Sequence, residues 1–449
     1  MIVKGGYTMK NHPLKKIVTY QKKNDPVGIY SVCSANAFVI KAALRRGLQT
    51  KTPVLIEATS NQVNQYGGYT GMKPKDFKKF VFDIAKEENF PPENIILGGD
   101  HLGPLTWASL NEKEAMEEAS KLIELYILAG YTKIHIDTSM KLNDDDNNTT
   151  LSTEIIAKRG ATLAEIAQKA YKELLKSNPN AIAPVYIVGS EVPIPGGAIA
   201  KTDNTEVQVT KVEDFKATYD TFKKAFNEKN LNDAWENVIG IVVQPGVEEK
   251  DTGCTEYDRN KAKDLMNSIK KYNNIFFEGH STDYQTKKAL KELVEDGVGV
   301  LKVGPGLTFA AREALFALAF AEKEQFKNTN VKQSNFIEIL DKEMLKNPVN
   351  WQKHYTGTPQ EIALKRKYSF SDRSRYYMPT KNVTNSIKIL FNNFKEGVPL
   401  NLLSQFMPIQ YTKIRDGLIK NKPEDIVVDR IVNTIDEYLQ ATNQQKLWI

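Results

Sequence analysis

The sequence predicts an α/β fold, a TIM (β/α)8 barrel with additional C-terminal helices. Three observations predict it. Eight short apolar runs fall between residues 27 and 303. Nearly all are followed by an amphipathic helical pattern. Ionisable and amide residues gather where the runs end, as they do at the functional face of such barrels.

The runs occupy residues 27–32, 54–57, 94–97, 133–136, 185–188, 238–243, 275–277 and 298–303. Short, near-continuous stretches rich in Val, Ile and Phe read as strands buried on both faces, as in parallel sheets. The second run precedes a helical pattern at 74–87, with Phe77, Phe80, Val81 and Ile84 on one stripe. The third precedes 111–129, striped by Met116, Ala119, Leu122, Ile123 and Tyr126. Patterns at 163–175, 211–226, 257–272, 284–295 and 308–326 follow the fourth to eighth runs. Regular βα alternation of this kind suggests a closed barrel. An open doubly wound sheet is the rival, but no nucleotide fingerprint follows the first run. Beyond 326 the strand signals fade, and helical stripes appear at 336–345, 383–394 and 424–439. The expected organisation is an N-terminal extension over 1–15, a barrel over 16–330, and a mainly helical region over 331–449 packed on it. The tract Asn143 to Thr150, NDDDNNTT, reads as a solvated loop.

Composition excludes several classes. Of 449 residues, 61 are Lys or Arg and 55 are Asp or Glu, a net charge of +6 spread along the chain. A nucleic-acid binder working by bulk electrostatics would concentrate its basic residues on one face. Apolar residues at 41% and charged residues at 26% are globular proportions, not disordered ones. No apolar run approaches the roughly 20 residues that cross a bilayer, and the first residues lack a secretory signal. Two cysteines, Cys33 and Cys254, are too few for a disulfide framework and fit a reducing cytoplasm. The expected protein is cytoplasmic and a homo-oligomer, with no nucleic-acid or membrane partner.

The ends of the runs carry the candidate chemistry: Glu57 with Asn61 and Gln62, Asp100–His101, His135 and Asp137, Glu191, Gln244, Glu278 with His280 and Asp283, and Lys302. Three of the five histidines, His101, His135 and His280, lie at these ends. Imidazole and carboxylate together suit zinc, manganese or iron. Gly304-Pro-Gly306-Leu-Thr308 joins the last run to a helical pattern, and a glycine turn feeding a helix offers backbone N–H groups to an anion. Arg373 and Arg375, in SDRSRYY, are candidates to reach the barrel mouth and bind phosphate, although a surface salt-bridge face is an equal reading.

The segments VLIEATSNQVNQYGGYTGM, IILGGDHLGP, KIHIDTSM, GSEVPIPGG, IVVQPGV, EGHSTDYQT, LKVGPGLTFAAREALF and SDRSRYYMP resemble, in this order, the GatZ/KbaZ family. The likeness spans nearly the whole chain; KLNDDDNN after Met140 departs from the family's short polar turn. The resemblance implies tagatose-type sugar-phosphate metabolism. Family members are described as partners needed for activity and stability of a catalytic class II D-tagatose-1,6-bisphosphate aldolase subunit. Others resemble epimerases interconverting tagatose and fructose 6-phosphates at C4. It implies a phosphorylated ketose as substrate and a divalent metal, zinc before manganese. Asp100-His101 resembles the acid/base and ligand pair of class II aldolases. On that likeness His101, Glu191 and His280 are expected to hold the metal, and Asp100 and Glu278 to be catalytic. Glu278 is also the competing ligand. Glu57, Asn61, Gln62, His135, Asp137, Gln244, Asp283 and Lys302 are expected to meet substrate, and Gly304, Gly306, Thr308, Arg373 and Arg375 its phosphate.

Overall fold

A computed structural model describes residues 12–190 and 207–449. Its strands are β1 (Ile29–Val32), β2 (Val54–Thr59), β3 (Ile95–Leu102), β4 (Lys133–Ile136), β5 (Val185–Val188), β6 (Val238–Val243), a short hairpin of β7 (Glu248–Glu249) and β8 (Cys254–Thr255), β9 (Phe276–Gly279) and β10 (Val298–Val303). Eight of them close a parallel barrel in the order β1-β10-β9-β6-β5-β4-β3-β2. This is the predicted (β/α)8 architecture.

Side chains alternate across a strand with period two, so every second residue points into the barrel. That alternation separates an apolar floor from a charged mouth. Ile29, Leu55, Ile96, Val185, Ile187, Phe276 and Val300 form one buried cluster at the N-terminal end. Two residues further along the same strands come Ser31, Glu57, Gly98, Glu278 and Lys302. The intervening Tyr30, Ile56, Leu97, Phe277 and Leu301 pack outward under the helices. Gly98 belongs to this layer for a steric reason: a Cβ there would lie 2.7 Å from Glu57 Cγ.

The floor is sealed from both ends of the chain. Helix Lys15–Lys22 contributes Ile17 to the apolar cluster, with Leu14 just before it and Leu447 from the far terminus. Packed chain therefore begins before residue 16, because Leu14 is fully buried. Gln444 accepts from Tyr30 N and donates to Pro53 O. Helix Pro423–Thr442 packs on helices Ala37–Thr50, Lys287–Glu295 and Pro305–Gln325, so the C-terminal helices clasp the β1, β9 and β10 side of the barrel.

Helix Ala37–Thr50 has no counterpart among the predicted patterns. Its buried face is Val39, Ile40, Ala42, Ala43, Leu44 and Gly47, half of it small residues that dilute the stripe, and its start is set by Asn36 accepting from Phe38 N and Val39 N. Helix Thr153–Ser177 begins ten residues before the predicted 163, where Ser152 caps it. Helix Pro305–Gln325 begins at Pro305 rather than near Thr308, because proline fits the first helical turn. The acidic tract is anchored: Asp145 pairs with the buried Arg159 at 2.7 Å. No described helix is long and apolar enough to cross a membrane.

Candidate active site

The charged layer holds two lysines among carboxylates. Lys133 Nζ lies 2.9 Å from Glu57 and 2.7 Å from Glu278. Lys302 Nζ lies 2.7 Å from Glu57 and 2.9 Å from Asp100. Ser31 Oγ donates to Glu57 at 2.8 Å. Lys133, Glu57 and Glu278 are wholly buried. Burial opposes charge on Glu278, but the ammonium groups of Lys133 and Lys302 hold its carboxyl far below the usual range. Asp100 is likewise held low against its burial by Lys302 and His101.

Above this layer three imidazoles converge. Ring centroids are 4.7 Å apart for His101–His135, 4.7 Å for His101–His280 and 5.2 Å for His135–His280. One ligand atom from each ring and one from Asp100 all lie within 4.8 Å of one another. His101 and His280 are each oriented by a carboxylate on one nitrogen, which leaves the other for a cation. His101 Nδ1 faces Asp137 Oδ2 at 2.7 Å. His280 Nε2 faces Glu278 Oε1 at 3.0 Å. His135 Nε2 donates to Gly189 O at 2.9 Å, and its Nδ1, 3.1 Å from Asp100 Oδ1, accepts from His101 N at 3.2 Å. Metal-binding histidines characteristically have such outer partners. Burial drives the His280 pKa down to about 3, so the ring is neutral, the form that binds metal. A cluster of three imidazoles and one carboxylate is a donor set that fits a divalent metal.

Backbone geometry holds these groups in place. His101 has φ +47°, a left-handed conformation uncommon for a side-chain-bearing residue and often found at functional sites. Gly103 lies so close to the next strand that a Cβ would stand 1.7 Å from Asp137 O. Gly103→Ala must displace Asp137, which orients His101. We expect it to lower stability by about 1–3 kcal/mol and to reduce bound zinc. Urea unfolding and metal analysis would check both; unchanged values in both would mean that the loop relaxes freely.

The chain matches the GatZ/KbaZ-like family, described as D-tagatose-1,6-bisphosphate aldolase subunit GatZ/KbaZ-like, over residues 14–443. The chain belongs to that family. It is 40% identical to a probable tagatose 6 phosphate kinase from Sinorhizobium meliloti 1021, whose crystal structure it matches with a TM-score of 0.83, covering 92% of this chain and 100% of that one. A fructose-bisphosphate aldolase from Campylobacter jejuni is 17% identical with a TM-score of 0.43, over 85% of this chain and 94% of that one. That likeness is too remote to carry an argument.

In this GatZ/KbaZ-like protein a cavity of about 440 Å³ opens over His101 and His280. Asn61, Gln62, Asp137, Asp283, Lys302 and Arg375 line it, and the C-terminal SDRSRYY segment thus reaches the barrel mouth through Arg375. The Arg375 guanidinium donates to Ser371 O and Tyr376 Oη. Other expected residues lie outside the described residues or the cavity, or are already partnered. Glu191 falls outside the described residues. Gln244 spends its carbonyl on Gly246 N and Val247 N, closing its own turn. Arg373 turns to His354 Nδ1 at 3.0 Å. Thr308 donates to Asp372 at 2.5 Å. The amides of Gly304 and Gly306 both donate to Asp283 Oδ1, at 3.0 and 2.7 Å, so they are already partnered within the chain. Asp283 itself is raised to about 7 by burial and by Glu249.

Sequence reading passed over Lys133, Ser31 and Glu249. Lys133 had a signal: it stands two residues before His135 in a buried strand, so both point inward. Glu249 had none, since only the β7–β8 hairpin brings it to the cavity.

Proposed function

We propose that this protein is a metal-dependent ketose-phosphate 4-epimerase interconverting fructose 6-phosphate and tagatose 6-phosphate. The observation that carries the reading is the Asp100–His101–His135–His280 cluster with its oriented rings. The family description places the chain in tagatose-type sugar-phosphate metabolism.

Carbon 4 of a 2-ketose is not α to the carbonyl, so removing its hydrogen directly would leave an unstabilised carbanion. Cleaving C3–C4 and closing it again with the aldehyde turned over inverts C4 without that step. His101, His135 and His280 would hold the divalent ion, zinc in the first instance. When bound, it supplies Lewis-acid stabilisation of the negative charge that develops on the three-carbon fragment. Asp100 takes the proton from the C4 hydroxyl as the bond breaks and returns it after closure. Lys302, 2.9 Å away, keeps Asp100 ionised for the first of these tasks. Arg375 binds the phosphate from the C-terminal side of the cavity. The aldehyde must stay enclosed while it rotates; its escape would make the reaction an aldol cleavage.

The test is purified protein with zinc and fructose 6-phosphate, assayed for tagatose 6-phosphate. Chelator treatment is expected to abolish turnover and added zinc to restore it. Turnover that survives complete metal removal would sink the reading. One observation favours a second role: the family is described as an aldolase subunit. On that reading the chain is inactive alone and raises the activity and stability of a separate class II aldolase subunit on mixing.

A further inference from the structure

The start of helix Pro305–Gln325 is already occupied, and its occupant, a carboxyl oxygen, belongs to the protein. Oδ1 of Asp283 accepts from Gly304 N at 3.0 Å and from Gly306 N at 2.7 Å. Asp283 is 2% exposed and stands on the wall of the 440 Å³ cavity. A Cβ on Gly306 would lie 3.0 Å from the same oxygen, so the turn is moulded closely around the carboxylate. Two amides converging at the N-terminus of a helix would also receive a phosphate oxygen. The two occupants compete for one seat.

We propose that Asp283 is a specificity gate, filling the anion seat at Gly304 and Gly306 so that the cavity admits a ketose with one phosphate and rejects a bisphosphate. The proposal rests on the sugar-phosphate reading above. Its cause is steric, because Oδ1 stands where a phosphate oxygen would bind. Glu249 lines the same cavity with a buried Oε2 that has no hydrogen-bond partner, so this wall offers a phosphate a second carboxyl group and no donor in place of the two amides. The cationic pole, Arg375, serves the single phosphate instead. Discrimination thus comes from a repulsive element built against the wrong ligand as well as from attraction to the right one.

Inorganic phosphate is the probe, titrated calorimetrically into the full-length protein in an anion-poor buffer. Asp283→Ala empties the seat and is expected to bind phosphate at least tenfold more tightly than wild type. The gain should persist when Arg375→Gln is added, which separates this seat from the Arg375 pole. Asp283→Asn keeps an oxygen on both amides and should stay within threefold of wild type. A folded Asp283→Ala protein with no gain overturns the proposal. If that variant does not fold, wild type decides: fructose 6-phosphate should bind at least tenfold more tightly than fructose 1,6-bisphosphate, and equal affinity overturns the gate. Phosphate titration needs no turnover. A gain in a protein without epimerase activity would therefore retain the gate and reject the epimerase reading, and the converse result would do the opposite.

Discussion

Asp100→Asn is expected to lower kcat for fructose 6-phosphate epimerisation by about 10²–10⁴-fold, the usual contribution of a positioned acid–base group. Asparagine preserves the shape of the side chain and an acceptor for its neighbours, but it cannot take the C4 hydroxyl proton. Lys302 keeps Glu57 at 2.7 Å after the change, so its charge is not stranded. Bound zinc should remain, because three oriented imidazoles stay in place. Metal analysis beside kinetics separates two roles for Asp100. A fall in kcat with full metal content identifies the base. A parallel fall in zinc identifies a ligand. A loss smaller than tenfold would remove Asp100 from proton transfer altogether.

The sequence carried the barrel and much of its mouth for a common reason. Buried parallel strands must be apolar on both faces, so they stand out as runs, and the residue that ends each run faces the mouth. Asp100, His101, His135 and His280 were legible on that basis alone. What the runs could not convey is which partners the inward residues choose. His135 was read as meeting substrate, and no sequence pattern conveys that its Nε2 faces Gly189 O and its Nδ1 accepts from His101 N. The Gly304 to Thr308 turn was read as open to phosphate. Asp283, more than twenty residues upstream, closes it from the neighbouring strand end, and no local pattern announces such a contact. Helix Ala37–Thr50 escaped notice because half of its buried face, Ala42, Ala43 and Gly47, is too small to mark a stripe. Gln244 shows the opposite failure: it lies at a strand end, but it satisfies its own turn.

Lys133→Met is expected to destabilise the protein by about 3–5 kcal/mol, the scale for removing one partner from a buried ion pair. Methionine matches the lysine stem in size and is apolar, so little packing is lost. The cost arises from the charges left behind. Lys133 is wholly buried and lies within 3 Å of both Glu57 and Glu278, which are themselves wholly buried. Without it Glu278 keeps only His280 as its close partner, at 3.0 Å, while Glu57 retains Lys302 and Ser31. The penalty should therefore concentrate on Glu278, which the lysines hold far below its usual pKa. Adding Glu278→Gln to Lys133→Met should recover part of the lost stability, because the stranded charge is removed; independent sites would instead add their losses. Urea unfolding of the two single variants and the double variant measures the coupling. Additive losses would mean that Lys133 and Glu278 do not act as a pair, and a Lys133→Met loss below about 1 kcal/mol would mean that water reaches the layer and screens it.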